Sequence, residues 1–192
     1  LFLIAGAVLT IVLQASSATM AITMLLAASG LIDFKLAIAM VLGENIGTTI
    51  TANIAAAVAN TSAKRAARAH TIFNLIGVIW VLCLLKPIIG LICHIMVALG
   101  FYDPVEASSQ LAAIANSGVA ADPEQIEMYK NSLLYGIAML HTLFNVTNTA
   151  VLIWFVPLIE KAVVWLVKEP KGETEVFRLK YISGGPLSTA EL

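Results

Sequence analysis

The sequence predicts an all-α integral membrane protein with spanning helices, a re-entrant helical hairpin and a discontinuous transmembrane helix. Its 192 residues are 59% hydrophobic and only 12% charged, with a mean hydropathy of +0.91. Soluble domains carry roughly 25% charged residues. Apolar blocks of about 20 residues, long enough to cross the hydrocarbon core, recur along the chain. The net charge of -1, without a basic groove, gives no reason to expect a nucleic-acid partner.

A polar break interrupts the first apolar run. Residues 1–13 are apolar, residues 14–17 are mostly polar, and residues 18–29 are apolar again. Each arm is only about a dozen residues long, too short to cross a bilayer at about 1.5 Å per residue. The stretch is therefore either one interrupted spanning helix or a re-entrant hairpin with residues 14–17 at its tip.

A second polar break lies inside the next apolar run, at residues 43–49. Gly43 and Gly47 predict an unwound centre, and Glu44 is the only charged residue between positions 36 and 59. Hydrocarbon offers no partner for polar groups or broken backbone, so such stretches persist only where they face protein or a wet cavity. Close helix packing through the Gly43-x-x-x-Gly47 spacing is the alternative interpretation.

Together the two breaks predict one half of a transport site, because discontinuous helices are the usual ion and substrate sites of secondary transporters. A helix starting near Ser16 would offer free amides to an anion, and a second half-helix starting near Thr48 would do the same. Carbonyls released by a broken helix could coordinate Na+. The predicted substrate- and sodium-binding residues are Gln14, Ser16, Ser17, Thr19, Asn45, Thr48 and Thr49, with Glu44 as an ion ligand or a structural partner.

The charged links between apolar runs predict the topology. The basic link with Lys64, Arg65 and Arg68 is expected in the cytoplasm, and the acidic link at residues 101–131 outside. Residues 71–100 are expected to cross once, with a kink or break at Pro87, and residues 132–159 to cross again. Residues 1–167 would then form a multi-pass transport repeat in the inner (plasma) membrane. Residues 168–192 would be a cytoplasmic linker.

A short motif occurs twice in the second half of the chain. His70 and Asn74 are separated by three residues, and so are His141 and Asn145. Residues four apart share a helix face. The two pairs are therefore expected to meet each other or the polar core through hydrogen bonds, with ordinary helix packing as the alternative.

At the two polar breaks the sequence resembles the bacterial form of the type II sodium/phosphate cotransporter family. Members carry a Gln-Ser-Ser-Ser-type motif and a Gly-x-Asn-Ile-Gly-Thr-Thr segment in two inverted copies. Residues 14–19 and 43–49 are similar to these motifs, and the likeness to the second copy extends roughly over residues 1–165. The chain departs from the pattern at Ala15, where Ser is usual, and at Glu44, where a small residue is common.

The resemblance implies sodium-coupled import of inorganic phosphate by alternating access, with Gln14, Ser16 and Ser17 helping to bind phosphate and sodium. It also implies three further partners: the bilayer, the first transport repeat of the same chain, expected upstream of Leu1, and a phosphate-uptake-regulator-like helical domain after residue 192. No enzyme constellation, cofactor or metal other than Na+ is expected, and homo-oligomer formation is left open. Two alternatives remain, an anion or cation channel and a non-transporting membrane sensor for a cytoplasmic phosphate-regulatory domain.

Overall fold

The computed structural model describes residues 1–117 and 122–169, and the all-α prediction is confirmed for this part of the chain. From residue 170 onward the predicted linker lies outside the described residues. The helices are α1 (Phe2–Leu13), α2 (Ser16–Ala28), α3 (Phe34–Ala56), α4 (Thr61–Cys83), α5 (Leu85–Ala98), α6 (Pro104–Ser117), α7 (Pro123–Leu152) and α8 (Val156–Leu166). A short 3-10 turn, Ile153–Phe155, joins the last two.

The chain reverses direction between α1 and α2. Gln14 adopts a left-handed backbone conformation with φ 53°, and α2 begins two residues later. The Oγ1 atoms of Thr10 and Thr19 lie 3.0 Å apart. In a continuous helix, residues nine apart would be about 13 Å from each other. Residues 1–29 therefore form two short helices folded against each other and not one interrupted helix.

Helix α3 runs unbroken from Phe34 to Ala56, so the predicted discontinuous transmembrane helix is wrong. Gly43 and Gly47 lie inside α3, where its backbone touches α1. A Cβ on Gly43 would clash with the carbonyl oxygen of Leu3, and one on Gly47 would lie 2.6 Å from the carbonyl oxygen of Ala7. The glycines therefore permit close packing of two parallel helices, the alternative interpretation of their spacing.

The apolar core lies around the N-terminal half of α3. Phe34, Ile38 and Leu42 recur every four residues on one face of α3 and are fully buried. They belong to one cluster with buried side chains of α5 and α7, among them Ile92 and Ile137. In a bilayer, close van der Waals packing stabilises such a cluster, because lipid tails are as apolar as the side chains.

The break predicted at Pro87 occurs at Leu84 instead. Helix α4 ends at Cys83 and α5 begins at Leu85, which places Pro87 in the first turn of α5. Proline is tolerated there because the first amides of a helix have no partner within the helix. The proline therefore follows the break and helps to start the next helix.

Within residues 1–117 and 122–169, two stretches are long and apolar enough to cross a membrane. They are Thr61–Cys83 and Pro123–Leu166, with mean hydropathies of 1.5 and 1.8. Helices α1, α2 and α5 are apolar but shorter. Trp154 and Trp165 are 82% and 75% exposed, so much of the apolar surface of the second stretch is left for lipid or for other protein.

The last described residues return to the start of α4. Arg65 donates from Nε to the carbonyl oxygen of Val167, at 3.1 Å, and its Nη1 lies 2.8 Å from a carboxylate oxygen of Glu169. This contact places residue 169 at the same end of the bundle as the basic link, as the predicted topology requires.

The predicted orientation can be tested at the two ends of the bundle. Ser62 lies in the first turn of α4, beside the C-terminal end of α3, whereas Ser109 lies in α6, beside the N-terminal end of α3. In a Cys83→Ala, Cys93→Ala background, we expect Ser109→Cys to react with a membrane-impermeant thiol reagent added outside intact cells. Ser62→Cys should react only after permeabilisation. Reversed labelling would overturn the orientation.

The contact between α1 and α3 predicts a position-specific effect of adding a methyl group. Gly43→Ala should lower the thermal unfolding midpoint in detergent, because overpacking typically costs about 1–3 kcal/mol. Gly90→Ala is the matched control, since nothing lies within 4 Å of a Cβ there. Alanine should stabilise that helix by about 0.5–1 kcal/mol. Equal effects of the two substitutions would contradict the packing role.

Candidate functional site

Two neighbouring cavities lie beside the reversal between α1 and α2. The turn cavity, of about 530 Å³, is lined by Ile11, Gln14, Thr48, Thr51, Ala52, Ile54, Ala55 and His70. The polar cavity, of about 250 Å³, is lined by Ser16, Glu44, Asn45, Thr48, His70, Phe73, Asn74, His141 and Asn145. Thr48 and His70 belong to both walls, so the two cavities are adjacent.

The N-terminus of α2 lies between the two cavities. Gln14 lines the turn cavity, and Ser16, the first residue of α2, lines the polar cavity. Ala15 occupies the N-cap position and provides no side-chain acceptor for the first amides of α2. Uncapped amides together with the positive end of the helix dipole form a site that suits an anion. The predicted helix start near Ser16 is confirmed.

The predicted second half-helix near Thr48 is wrong. Because α3 is continuous, the Thr48 amide lies inside the helix, and the Thr48 hydroxyl donates to the carbonyl oxygen of Glu44 at 2.9 Å. Of the two helix N-termini expected to converge on an anion, only that of α2 exists. Thr48 contributes an oxygen to the cavity walls and no free backbone amide.

The predicted site residues divide into two groups. Gln14, Ser16, Glu44, Asn45 and Thr48 line the cavities. Ser17, Thr19 and Thr49 line neither of them. Ser17 is exposed.

Thr19 and Thr49 are buried among helix contacts. The hydroxyl of Thr19 lies 3.0 Å from that of Thr10 on α1 and 3.3 Å from its own helix carbonyl at Ala15. The hydroxyl of Thr49 donates to the carbonyl oxygen of Ile46 at 2.8 Å. Both hydroxyls thus satisfy local or inter-helix hydrogen bonds, as is common for Ser and Thr in membrane helices.

Three asparagines of the polar cavity share one arrangement. Each donates an Nδ2 hydrogen to the backbone carbonyl four residues earlier, at 2.9 Å for Asn45, 3.2 Å for Asn74 and 2.8 Å for Asn145. An asparagine has a separate acceptor, Oδ1, with two lone pairs. Within the described residues, the structure gives none of these three Oδ1 atoms a hydrogen bond. The wall of the cavity is therefore rich in oxygen acceptors.

Two polar atoms of this cavity are buried without a partner. Glu44 is 2% exposed, and its Oε2 has no hydrogen-bond partner among residues 1–117 and 122–169. The same holds for Nδ1 of His141. An unpaired buried carboxyl is costly, and ionisable groups inside membrane segments usually mark functional sites. These two atoms make the polar cavity a candidate ligand site.

A close crossing of α4 and α7 brings the repeated His-Asn pairs together. Asn148 donates to the carbonyl oxygen of Phe73 at 3.1 Å and accepts from Nε1 of Trp80 at 3.2 Å. A Cβ on Gly77 would lie 2.7 Å from Nδ2 of Asn148, so glycine permits this approach. The two pairs line the polar cavity together with Glu44 and Asn45 of α3, but within the described residues the side chains of Asn74 and Asn145 hydrogen-bond only to carbonyl oxygens of their own helices, so the predicted hydrogen bonds between the pairs or to the polar core are not seen.

The predicted site residues do not include four polar residues of the polar cavity: His70, Asn74, His141 and Asn145. Their repeated spacing was the available signal. Only the crossing of α4 and α7 shows that the two His-Asn pairs lie beside the polar residues 44–48 of α3.

A family model described as Na+/Pi-cotransporter matches residues 2–102, more than half of the chain. The chain belongs to the Na+/Pi-cotransporter family. The resemblance carried by the two polar motifs is thereby confirmed, and the protein is a membrane protein of a transporter family. The match contains the cavity-lining residues of α1 to α4 and ends before α7.

Curated relatives of this Na+/Pi-cotransporter family chain are similar to it over about half of its length. The "Uncharacterized protein YqeW" of Bacillus subtilis (strain 168) is 41% identical over 90 residues, which are 47% of this chain and 29% of that protein. The "Putative inorganic phosphate export protein YjbB" of Salmonella typhimurium is 34% identical over 86 residues, 45% of this chain and 16% of that protein.

The protein of the same name from Escherichia coli (strain K12) is 32% identical over 91 residues, again 16% of its length. The similar stretch thus covers less than a third of each of these three relatives. No solved structure matches the chain.

The placement of Thr19 predicts a stability effect without a transport effect. Thr19→Val keeps the shape of the side chain but removes the hydroxyl that faces Thr10. A lost hydrogen bond of this kind is worth about 0.5–1.5 kcal/mol, so the thermal unfolding midpoint should fall. The half-saturating concentrations of phosphate and Na+ in transport assays should stay within twofold of the parent. A large rise in the half-saturating concentration of phosphate or Na+, with an unchanged unfolding midpoint, would show that Thr19 belongs to the binding site.

Proposed function

We propose that this protein is a sodium-coupled secondary transporter that moves inorganic phosphate inward across the membrane. The observation that carries the proposal is the uncapped N-terminus of α2, which lies between Gln14 and Ser16 at two adjoining cavities. Membership of the Na+/Pi-cotransporter family and the phosphate named in the YjbB proteins support the choice of anion.

The anion would be held by backbone and side-chain donors at the turn. The first amides of α2 point along the helix axis toward the reversal, where the positive end of the dipole favours negative charge. The amide of Gln14 and the hydroxyl of Ser16 add donors on either side. Phosphate has several acceptor oxygens and can use donors from both walls.

The hairpin geometry supports a re-entrant segment. Helices α1 and α2 have 12 and 13 residues, too few to cross a bilayer each. The tip of the hairpin lies beside Thr48, Thr51 and Ala52, in the second half of α3. If the hairpin enters from the outer side, its tip reaches past the middle of the membrane, where secondary transporters bind their substrates. An inverted first repeat would complete the site and allow alternating access.

The direction of transport needs its own measurement, because the relatives from Salmonella and Escherichia coli are named for phosphate export. The assay is radiolabelled phosphate movement in proteoliposomes containing the full-length protein, measured in both directions. Labelling of Ser109→Cys reports the orientation of the inserted protein. An inward Na+ gradient should drive phosphate inward. Gradient-driven movement in the outward direction only would replace import by export.

The anion site predicts that single donors matter. A hydrogen bond to a charged ligand is worth about 1.5–3 kcal/mol, and about 1.4 kcal/mol is a factor of ten in affinity. Gln14→Ala and Ser16→Ala should therefore each raise the half-saturating phosphate concentration by at least about tenfold. Ser29→Ala is the control, because this exposed hydroxyl donates to the carbonyl oxygen of Leu25 at the far end of α2.

Three outcomes would contradict the proposal. Parent-like transport by Gln14→Ala and Ser16→Ala would place the site elsewhere. Large single-channel currents in planar bilayers would indicate a channel. Absence of phosphate movement, with intact insertion and folding, would favour a non-transporting sensor.

A further inference from the structure

A third cavity, the α4–α8 groove, lies between helices α4 and α8. It has a volume of about 450 Å³ and extends from Arg65, near the start of α4, to Phe73, about two turns further along the same helix. Apart from Arg65, His70 and Glu160, the described residues that line it are apolar, with alanines from α4 and aliphatic side chains from α8. Its volume is within the range of about 300–1,000 Å³ that is usual for small-molecule sites.

A smaller cavity, the basic pocket, adjoins the Arg65 end of this groove. Nε of Arg65, in the groove wall, donates to the carbonyl oxygen of Val167, in the pocket wall, at 3.1 Å. Lys64 and Arg68 are four residues apart and so share one face of α4. The pocket has a volume of about 260 Å³ and is lined by Asn53, Ala56, Ala57, Lys64, Arg68 and Val167.

The charges at this end of the groove are positive. Lys64 and Arg68 have no acidic partner in the part of the chain that the structure describes. The acidic residue of the groove, Glu160, precedes Val167 by seven residues, which is about 10 Å along a helix. It therefore lies away from the basic pocket. The result is a pair of basic side chains at one end of an apolar groove.

Trp165 indicates the depth of this region in the membrane. It is 75% exposed and lies in the last turn of α8, two residues before Val167. Tryptophan is enriched at the level of the lipid headgroups. From the same end of the bundle, α4 runs into a stretch that is long and apolar enough to cross the membrane. The basic pocket is therefore expected at headgroup level, and the groove deeper, beside the acyl chains.

We propose that this region binds an anionic phospholipid, with its phosphate at Lys64 and Arg68 in the basic pocket and one acyl chain in the α4–α8 groove. Basic pockets between membrane helices are typical sites for lipid headgroups. The two halves of the site match the two halves of such a lipid. A soluble anion would leave the groove uncovered, and a lipid without net charge would leave the cations uncompensated. The inference does not depend on which ion the protein transports.

A cavity of similar size between α5 and α7 has different chemistry. It has a volume of about 480 Å³, and none of the described residues that line it is charged. An acyl chain could lie there without any selection for the headgroup. The α5–α7 cavity is therefore the internal reference for the charge requirement of the α4–α8 groove.

The acyl chain would lie close to the candidate transport site. His70 lines the groove, the turn cavity and the polar cavity. A lipid that bridges α4 and α8 would hold in place the part of α4 that forms these cavity walls. Binding of the lipid is therefore expected to stabilise the folded protein.

The first test measures lipid binding by the full-length protein in a neutral detergent. The thermal unfolding midpoint is recorded against the mole fraction of phosphatidylglycerol in the micelles, with saturating phosphate so that anion binding at the α2 terminus does not change. A ligand that binds only the folded state raises the midpoint in a saturable way. We expect such a rise with phosphatidylglycerol and a much smaller one with phosphatidylcholine. Glycerol 3-phosphate, which has the phosphate ester but no chain, should have no effect.

Substitutions in the basic pocket test the headgroup contact. Lys64→Gln and Arg68→Gln should each raise the half-saturating mole fraction of phosphatidylglycerol about fivefold, which corresponds to about 1 kcal/mol for one basic residue near an anionic lipid surface. Lys35→Gln is the matched control, because Lys35 is an exposed cation in the first turn of α3, at the opposite end of the bundle. It should behave like the parent.

Filling the groove tests the position of the acyl chain. Ala69→Phe keeps every charge and places a ring in the groove, so the half-saturating mole fraction of phosphatidylglycerol should rise severalfold. Ala66→Leu is a smaller change in the same wall and replaces it if Ala69→Phe does not fold. Ala138→Phe makes the same change in the α5–α7 cavity and should leave the value unchanged.

Several results would overturn the proposal. An unresponsive midpoint of the parent would mean that the groove is not open to lipid in the full-length protein. An equal rise with phosphatidylcholine would remove the headgroup contact, and an equal rise with glycerol 3-phosphate would replace the lipid by a soluble phosphate ester. Parent-like values in the variants of either the basic pocket or the groove would leave only adsorption of the bundle to an anionic surface.

Discussion

The contact between the backbones of α1 and α3 determines where the turn between α1 and α2 lies relative to α3. Gly6, Gly43 and Gly47 leave no side chain between the two helices, and a Cβ on any of them would meet the backbone of the other helix. Because the helices run side by side, the end of α1 is held against the polar second half of α3. The reversal at Gln14 and the start of α2 are thus placed beside Thr48. A larger residue at Gly43 or Gly47 would move the turn away from the cavities as well as weaken the packing.

The polar groups of this apolar chain fall into two classes according to what satisfies them. The hydroxyls of Thr19 and Thr49 bond to carbonyl oxygens of their own helices, and that of Thr19 also bonds to the hydroxyl of Thr10, so they stabilise the bundle without needing a ligand. The cavity groups are different, because Glu44 and His141 keep buried atoms without a partner in the described chain. Since a bilayer offers no replacement for water, unsatisfied groups of this kind identify a site better than the mere presence of polar residues.

Sequence patterns predicted the helical class, the reversal near residues 14–17 and the start of a helix near Ser16, because short apolar arms and a cluster of polar residues leave few other solutions. They did not determine whether α3 is continuous or broken. A pair of glycines four residues apart suits both an unwound helix and a close helix contact, and only the presence of α1 at this face decides between them. The sequence also could not show which residues line the polar cavity. His70 and His141 are 71 positions apart in the sequence, and the crossing that joins them depends on Gly77 and Asn148.

The arrangement explains how opposite charges can occupy one compact region. The helix terminus at Ser16 presents donors and a positive dipole end, while α3 presents a carboxylate and amide oxygens one helix away. In a low-dielectric environment, the positive helix terminus and the carboxylate would each be costly to bury without an opposite charge nearby.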